Sequence, residues 1–250
     1  MLTMGDVHAT AADHHPIDRP DLAALAGLLA DRTRAAMCLA LLDGRTWTAT
    51  ELARHTGVAA STATAHLNRL VAGGLLEEER RGRHRHVRLA DADTAEMIES
   101  LASHAPLRPA HVRSLRDAHR HRSLTHARTC FDHLAGTVAV AITDALSDRH
   151  LLTWDYGPTL TPEGKDWLRH EGIADHRDNR AHVRTCLDWT ERRPHLAGAV
   201  GAALFRHALE RGWMVRRGTT RIVTVTEEGR RALRERLGVE EGVLAGPGDV

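Results

Sequence analysis

The chain has 250 residues, enough to bury one large core or two small ones, and its 42% apolar and 27% charged content is ordinary for a soluble globular protein. A formal net charge of +1 points to no partner by itself, no apolar run approaches the roughly 18 residues of a membrane span, and residues 1–20 lack the basic, apolar and small-residue order of a signal peptide. Three cysteines make no disulfide framework, and 3% aromatic residues offer little stacking surface for single strands of nucleic acid, so a cytoplasmic protein is expected.

Residues 1–19 read as a flexible arm closed by Pro20. Asp21 is placed to cap a short helix over Leu22 to Ala30, with Leu22, Leu25, Leu28 and Leu29 as its apolar stripe. Asp31 caps the next helix, where Ala35, Cys38, Leu39 and Leu42 recur at helical spacing, so Cys38 belongs to the core. Thr48 and Glu51 have capping-box spacing, and the helix they open runs to about Thr56 and stops at Gly57.

Ser61 is a good N-cap for the following helix. At 100° per residue, Ala63, Leu67, Leu70 and Val71 gather on one side, with Ser61, Thr62, Ala65, Asn68 and Arg69 opposite. Small side chains let a helix axis approach base edges, and hydroxyls such as those of Ser61, Thr62 and Thr64 bond to bases or phosphates. Alone, the pattern equally describes an amphipathic helix with a polar solvent face. The hairpin that follows changes the balance. Leu75, Leu76, Val87 and Leu89 anchor its base, Gly82 permits the turn, and Arg80, Arg81, Arg83, His84, Arg85 and Arg88 load its arms, with Glu77, Glu78 and Glu79 as acidic partners. Helix, turn, helix and charged hairpin in this order make a winged helix-turn-helix over residues 20–104, for which a double-stranded operator is the expected partner.

Residues 21–104 resemble the ArsR/SmtB family of bacterial winged-helix repressors. The likeness is carried by Leu28-Leu29-Ala30-Asp31-Arg32-Thr33-Arg34, Glu51-Leu52-Ala53, Ser61-Thr62-Ala63-Thr64-Ala65-His66-Leu67 and Gly74-Leu75-Leu76. It implies a homodimer built by the first helix and the helix after the wing, about Ala92 to Ser103, and a repressor whose operator affinity falls when an inducer binds elsewhere. Two departures matter. Glu51-Leu52-Ala53-Arg54-His55 lacks the family's cysteine motif, and Asp91, Asp93, Glu96 and His104 do not match its acidic and histidine ligand pattern. The family's two commonest metal sites therefore do not carry over, and the family is typically far shorter than this chain.

Residues 105–127 read as a helical linker dense in Arg and His, a solvated basic face. Residues 128–238 then contain a repeat: Arg128-Thr129-Cys130-Phe131-Asp132 returns as Arg184-Thr185-Cys186-Leu187-Asp188, and His133-Leu134-Ala135-Gly136 returns as His195-Leu196-Ala197-Gly198. Each copy (128–173 and 184–238) reads as an Ala-rich helix, a hairpin and another helix, with the helices expected at about His133 to Ser147 and His195 to Arg211. The expected architecture is mainly α with small β-hairpins, an α+β chain whose C-terminal sensing or dimerisation domain holds two degenerate winged-helix-like repeats, followed by a flexible tail over 239–250.

Cys130 and His133, with Cys186 and His195 as their counterparts, offer two thiolates and two imidazoles. That set suits Zn(II) or another borderline-soft divalent metal, with Asp132 and Asp188 as acceptors that orient the imidazoles. The same residues also fit a purely structural role, or a thiol switch between Cys130 and Cys186. Trp189, Arg192 and Arg193, in the six residues that the second copy inserts, could instead line a pocket for an organic effector. No nucleotide-binding loop, nucleophile elbow or HExxH helix is present, so an enzyme is not expected; a thiol-dependent enzyme fused to a DNA-binding module is the alternative of another class.

Overall fold

The computed structural model describes residues 20–82, 84–107, 114–173 and 183–247. The expected N-terminal arm and Arg83 lie outside the described residues.

Side-chain caps start the N-terminal helices. Asp21 accepts from the Ala24 amide to open α1 (Leu22–Leu29), and Asp31 accepts from the Thr33 and Arg34 amides to open α2 (Arg32–Leu41). After β1 (Trp47–Thr48) comes α3 (Ala49–Thr56), where Thr48 and Glu51 form the expected capping box and Gly57 closes the helix in the left-handed region at φ 76°. The next helix, α4 (Ala60–Ala72), starts earlier than expected. Its N-cap is Ala59, with no side-chain bond, so Ser61 stands exposed in the first turn and does not cap.

β2 (Leu76–Arg81) and β3 (His84–Leu89) pair antiparallel with Leu76 opposite Leu89 and Arg81 opposite His84. β1 adds to the outer side of β3, Trp47 facing Val87. The Asp91 carboxylate then caps α5 (Ala92–His104). Met37, Leu41, Leu52, Leu67, Leu70, Leu76 and Val87 close one core between these elements. Each fully buried leucine there contributes roughly 1.5–3 kcal/mol.

The linker contains α6 (Leu115–His126). Beyond it one order of elements, hairpin, helix, hairpin, helix, occurs twice. The first run is β4 (Arg128–Cys130), β5 (His133–Ala135), α7 (Thr137–Asp148), β6 (Leu152–Thr153), β7 (Thr159–Leu160) and α8 (Pro162–His170). The second is β8 (Arg184–Leu187), β9 (Pro194–Ala197), α9 (Gly198–Glu210), β10 (Met214–Arg216), β11 (Val223–Val225) and α10 (Glu227–Leu237). A second core of Val138, Leu146, Val200, Phe205, Met214 and Leu233 joins the two runs.

Two expectations are corrected here. The Ala-rich helices do not begin at His133 and His195; both histidines lie on strands, with Cys130 paired to His133 and Cys186 to His195. Gly136 explains the first case. At φ 93° it turns the chain where a Cβ would meet the carbonyls of Thr125 and His126, so the helix starts only after it. The supposed tail is also ordered through residue 247: α11 (Glu241–Leu244) packs back onto the second core, burying Val239 and Leu244.

Thr161 and Thr226 cap α8 and α10 by accepting from the amides of Gly164 and Gly229. A Cβ on either glycine would collide with a backbone carbonyl, that of Leu151 or Trp213. Alanine favours an isolated helix over glycine by about 1 kcal/mol, yet Gly164→Ala and Gly229→Ala should each destabilise the protein by roughly 1–3 kcal/mol. Thermal melts give the sign, and a higher melting temperature in either variant would contradict this packing.

Candidate DNA interface and candidate metal centre

α4 turns Ala63, Leu67 and Leu70 inward and leaves Ser61, Thr62, Thr64, Ala65, Asn68 and Arg69 exposed. Thr64 Oγ1 donates back to the Ala60 carbonyl at 2.9 Å, so that hydroxyl is already engaged within the helix. The hairpin β2–β3 stands beside this face, because Arg85 Nη1 donates to Asn68 Oδ1 at 2.6 Å. The wing arginines are largely paired with the glutamates of the same sheet: Arg81 with Glu79 at 2.9 Å, Arg85 with Glu78 at 2.5 Å, and Arg88 with Glu77. Arg80 is exposed and has no ion pair among the described residues, and His84 begins β3 opposite Arg81. Exposed pairs of this kind hold together by about 0–1 kcal/mol, so a phosphate can take the place of a glutamate at little cost.

The two C-terminal hairpins bring Cys130, His133, Cys186 and His195 together, one ligand atom from each lying within 4.8 Å of all the others. Cys130, His133 and His195 are buried, and Cys186 is half-buried. The imidazole rings lie 5.2 Å apart at 34°. His133 Nδ1 is hydrogen-bonded to Asp132 Oδ1 at 3.3 Å, while His195 Nδ1 lies 3.6 Å from Asp188 Oδ2. Nε2 of both rings, and Nδ1 of His195, are buried without a hydrogen-bond partner.

The electrostatics follow from this crowding. A hydrogen bond between the two thiols, aided by burial, raises Cys130, while the same bond lowers Cys186. Burial, with the neighbouring His133, pushes His195 down to about 4 and leaves it neutral at physiological pH. For His133 burial acts downward, but the neighbouring Cys130 and Asp132 prevail and raise it.

Behind the cluster lies a buried charge network that the sequence reading missed. Arg128 is 1% exposed, and its guanidinium donates to Glu99 Oε1 at 3.0 Å and to Asp188 Oδ2 at 2.9 Å. Asp188 also receives the Gly136 amide at 2.7 Å and the Thr190 and Glu191 amides. Burial would raise its carboxyl, but Arg128 and these donors hold it at about 2. Glu99, on α5, receives Trp189 Nε1 at 3.0 Å and Arg221 Nη2 at 2.8 Å. Arg221 reaches further still: its amide donates to the Asp43 carbonyl at 2.8 Å and its Nε to the Thr129 carbonyl at 2.8 Å. One carboxylate on the winged-helix half is thereby fixed by three donors from the other half.

Trp189, Arg192 and Arg193, which could have lined an organic pocket, are each engaged with other groups of the fold. Trp189 is held by Glu99, Arg192 Nη1 donates to the carbonyls of Ala102, Ser103 and Ala105 at the end of α5, and Arg193 pairs with Asp144 at 2.7 Å. Trp189 and Arg192 therefore serve α5, and Arg193 serves α7. Glu191 accepts from Thr137 Oγ1. A separate apolar cavity of about 50 Å³ lies between Leu134, Trp167, Leu196, Phe205, His207 and Met214. That is far below the roughly 300–1,000 Å³ of a pocket for a drug-sized ligand.

The thiols differ in access. Cys38 is fully buried in the first core, which pushes its thiol up to about 11, while Cys186 is half-buried. Under native, metal-free, reducing conditions an alkylating reagent should label Cys186 and leave Cys38 untouched. Peptide mass spectrometry reads the ratio, and labelling of Cys38 at a comparable rate would contradict the core assignment.

The fold and the exposed helix–wing surface define a winged helix-turn-helix protein with a second domain clasped to it. Residues 29–79 match the model of a helix-turn-helix domain family. Over 225 residues the chain is 40% identical to the uncharacterized HTH-type transcriptional regulator YdfF of Bacillus subtilis strain 168, an alignment that spans 88% of this chain and 99% of that protein. The chain belongs to this family of HTH-type transcriptional regulators, and the relationship takes in both halves. Among solved structures, similarity extends to a homodimeric winged helix-turn-helix DNA-binding domain from Mycobacterium bovis, 28% identical, covering 35% of this chain and 87% of that one at TM-score 0.29. The cadmium metal-sensor CMTR from Mycobacterium tuberculosis is 32% identical, with 37% and 100% covered at TM-score 0.30. Among the described residues no helix is long and apolar enough to cross a membrane.

Proposed function

We propose that the protein is a homodimeric, cytoplasmic repressor that binds operator DNA through α4 and the wing and is released when an effector binds the C-terminal domain, a metal ion being the favoured class. The observation that carries the DNA reading is the exposed face of α4, small at its start and polar or basic further along, with the arginine-bearing hairpin tied beside it by Arg85 and Asn68. Ser61, Thr62, Ala65 and Arg69 face outward where a major-groove helix reads base edges, while Arg80, Arg81 and Arg85 supply phosphate affinity. Leu22 on α1 and Leu101 on α5 are apolar and exposed, which suits the dimer surface that the ArsR/SmtB resemblance implies. The effector acts by binding alone, and no catalytic step is assigned to the chain.

The test is a titration of the protein against its own promoter duplex over a range of salt. Arg80→Ala should weaken binding similarly on all sequences and reduce the slope of log K against log salt by about 1. Thr62→Ala should leave that slope unchanged and alter which sequence is preferred. Salt-independent binding, or an Arg80→Ala variant with an unchanged slope, would overturn the interface.

A further inference from the structure

We infer that Cys130, His133, Cys186 and His195 form one tetrahedral site for a borderline-soft divalent cation of the Zn(II) class, bound by two thiolates and by Nε2 of each imidazole. The inference rests on the reading of the C-terminal domain as the sensing half and gives its effector a chemistry and a place.

Four observations support it independently of the ligand types. The donors come from two hairpins far apart in sequence, yet one atom of each lies within 4.8 Å of every other. Both Nε2 atoms are buried and unpartnered, a condition that costs free energy unless something binds there. His133 Nδ1 is hydrogen-bonded to the Asp132 carboxylate, the arrangement that orients a metal-bound imidazole and strengthens it as a donor, and the Asp188 carboxylate lies 3.6 Å from Nδ1 of His195. Asp188 is itself fixed by Arg128 and three backbone amides, so the carboxylate behind His195 is rigid.

Charge selects the cation. Two thiolates and two neutral imidazoles carry −2, so a divalent ion makes the centre neutral, whereas a monovalent ion leaves a buried charge that costs several kcal/mol. Sulfur and imidazole ligands in a compact tetrahedral set favour Zn(II), Cd(II) or Co(II) over Mg(II), Ca(II) or Mn(II), which prefer oxygen. Binding expels the thiol protons, so affinity rises with pH. The centre would join β4–β5 to β8–β9 at their Cys–His pairs.

The test uses the full-length chain, reduced and stripped by a chelator, titrated with Co(II) and then Zn(II). One Co(II) per chain should appear with a sulfur-to-cobalt charge-transfer band in the near ultraviolet and the strong visible bands of tetrahedral cobalt, all abolished by one equivalent of Zn(II). Cys186→Ser, at a half-buried position, should keep the circular dichroism of the parent, lose about half of the charge-transfer intensity and bind at least tenfold more weakly. His195→Gln should retain the charge-transfer band with altered visible bands. Absence of thiolate charge transfer in the parent, or a spectrum unchanged by Cys186→Ser, would overturn the site. The promoter titration separates the two readings. Salt-sensitive DNA binding without the cobalt spectrum removes the centre and keeps the regulator. The cobalt spectrum with operator affinity indifferent to Zn(II) keeps the centre and removes it as the effector site.

Discussion

Arg128→Met is expected to destabilise the protein by about 3–5 kcal/mol, the range for removing one partner of a buried ion pair. The reason is the state of the groups left behind. Glu99 and Asp188 are 5% and 0% exposed, and each directs an oxygen at the Arg128 guanidinium. Arg221 continues to serve Glu99, but Asp188 loses the guanidinium that lies 2.9 Å from it. Arg128→Lys, which restores charge but not the planar fork, should recover part of the loss. For a chain of this size, 1 kcal/mol shifts the melting temperature by about 2–4 °C, so a drop on the order of 10 °C is anticipated for Arg128→Met. A drop within about 2 °C would show that the network contributes little.

The second large effect is on communication between the halves. Glu99 sits on α5, the helix that the family resemblance places in the dimer, and it receives donors from beside both Cys–His pairs: Arg128 before Cys130, and Trp189 between Cys186 and His195. A change in the position of either strand on metal binding must alter these bonds. In the parent protein Zn(II) should weaken operator binding by roughly 5–150-fold, the span of ordinary coupling energies of about 1–3 kcal/mol. In Glu99→Gln the metal should still bind at one per chain, but the change in operator affinity should shrink to about twofold. Trp189→Phe, which removes one donor and keeps the ring, provides a milder variant if Glu99→Gln folds poorly. Full responsiveness in both variants would place the coupling elsewhere.

What could be read from the sequence was local. The Thr48–Glu51 box and the closing Gly57 depend on residues three to nine positions apart, and the two faces of α4 follow from helical geometry alone. The Cys–His segments were harder. Their strands are three or four residues long, too short to show alternation, and they lead into Ala-rich stretches that resemble helix throughout. Gly136 and Gly198 were the available signal, since both have positive φ and mark the switch from strand to helix. The repeated Cys and His form a recognisable ligand set in the sequence, even though the hairpins that carry them are not recognisable there. The charge network could not be read at all. Arg128 and Glu99 are 29 positions apart, and in the sequence they look like any other charged residues on amphipathic surfaces. The same holds for Arg192, whose role as a cap for α5 needs the helix end placed beside it.

Arg192 and Arg221 also bear on how the chain can be divided. A fragment ending at residue 105 would keep the helix-turn-helix intact and lose every donor that Glu99 has in the other half, together with the guanidinium that closes the last turn of α5. The carboxylate would then face water, and the end of α5 would fray. Recombining this DNA-reading half with a foreign sensor therefore requires the new partner to supply three arginines and an indole at matching places, so the two halves are constrained to change together.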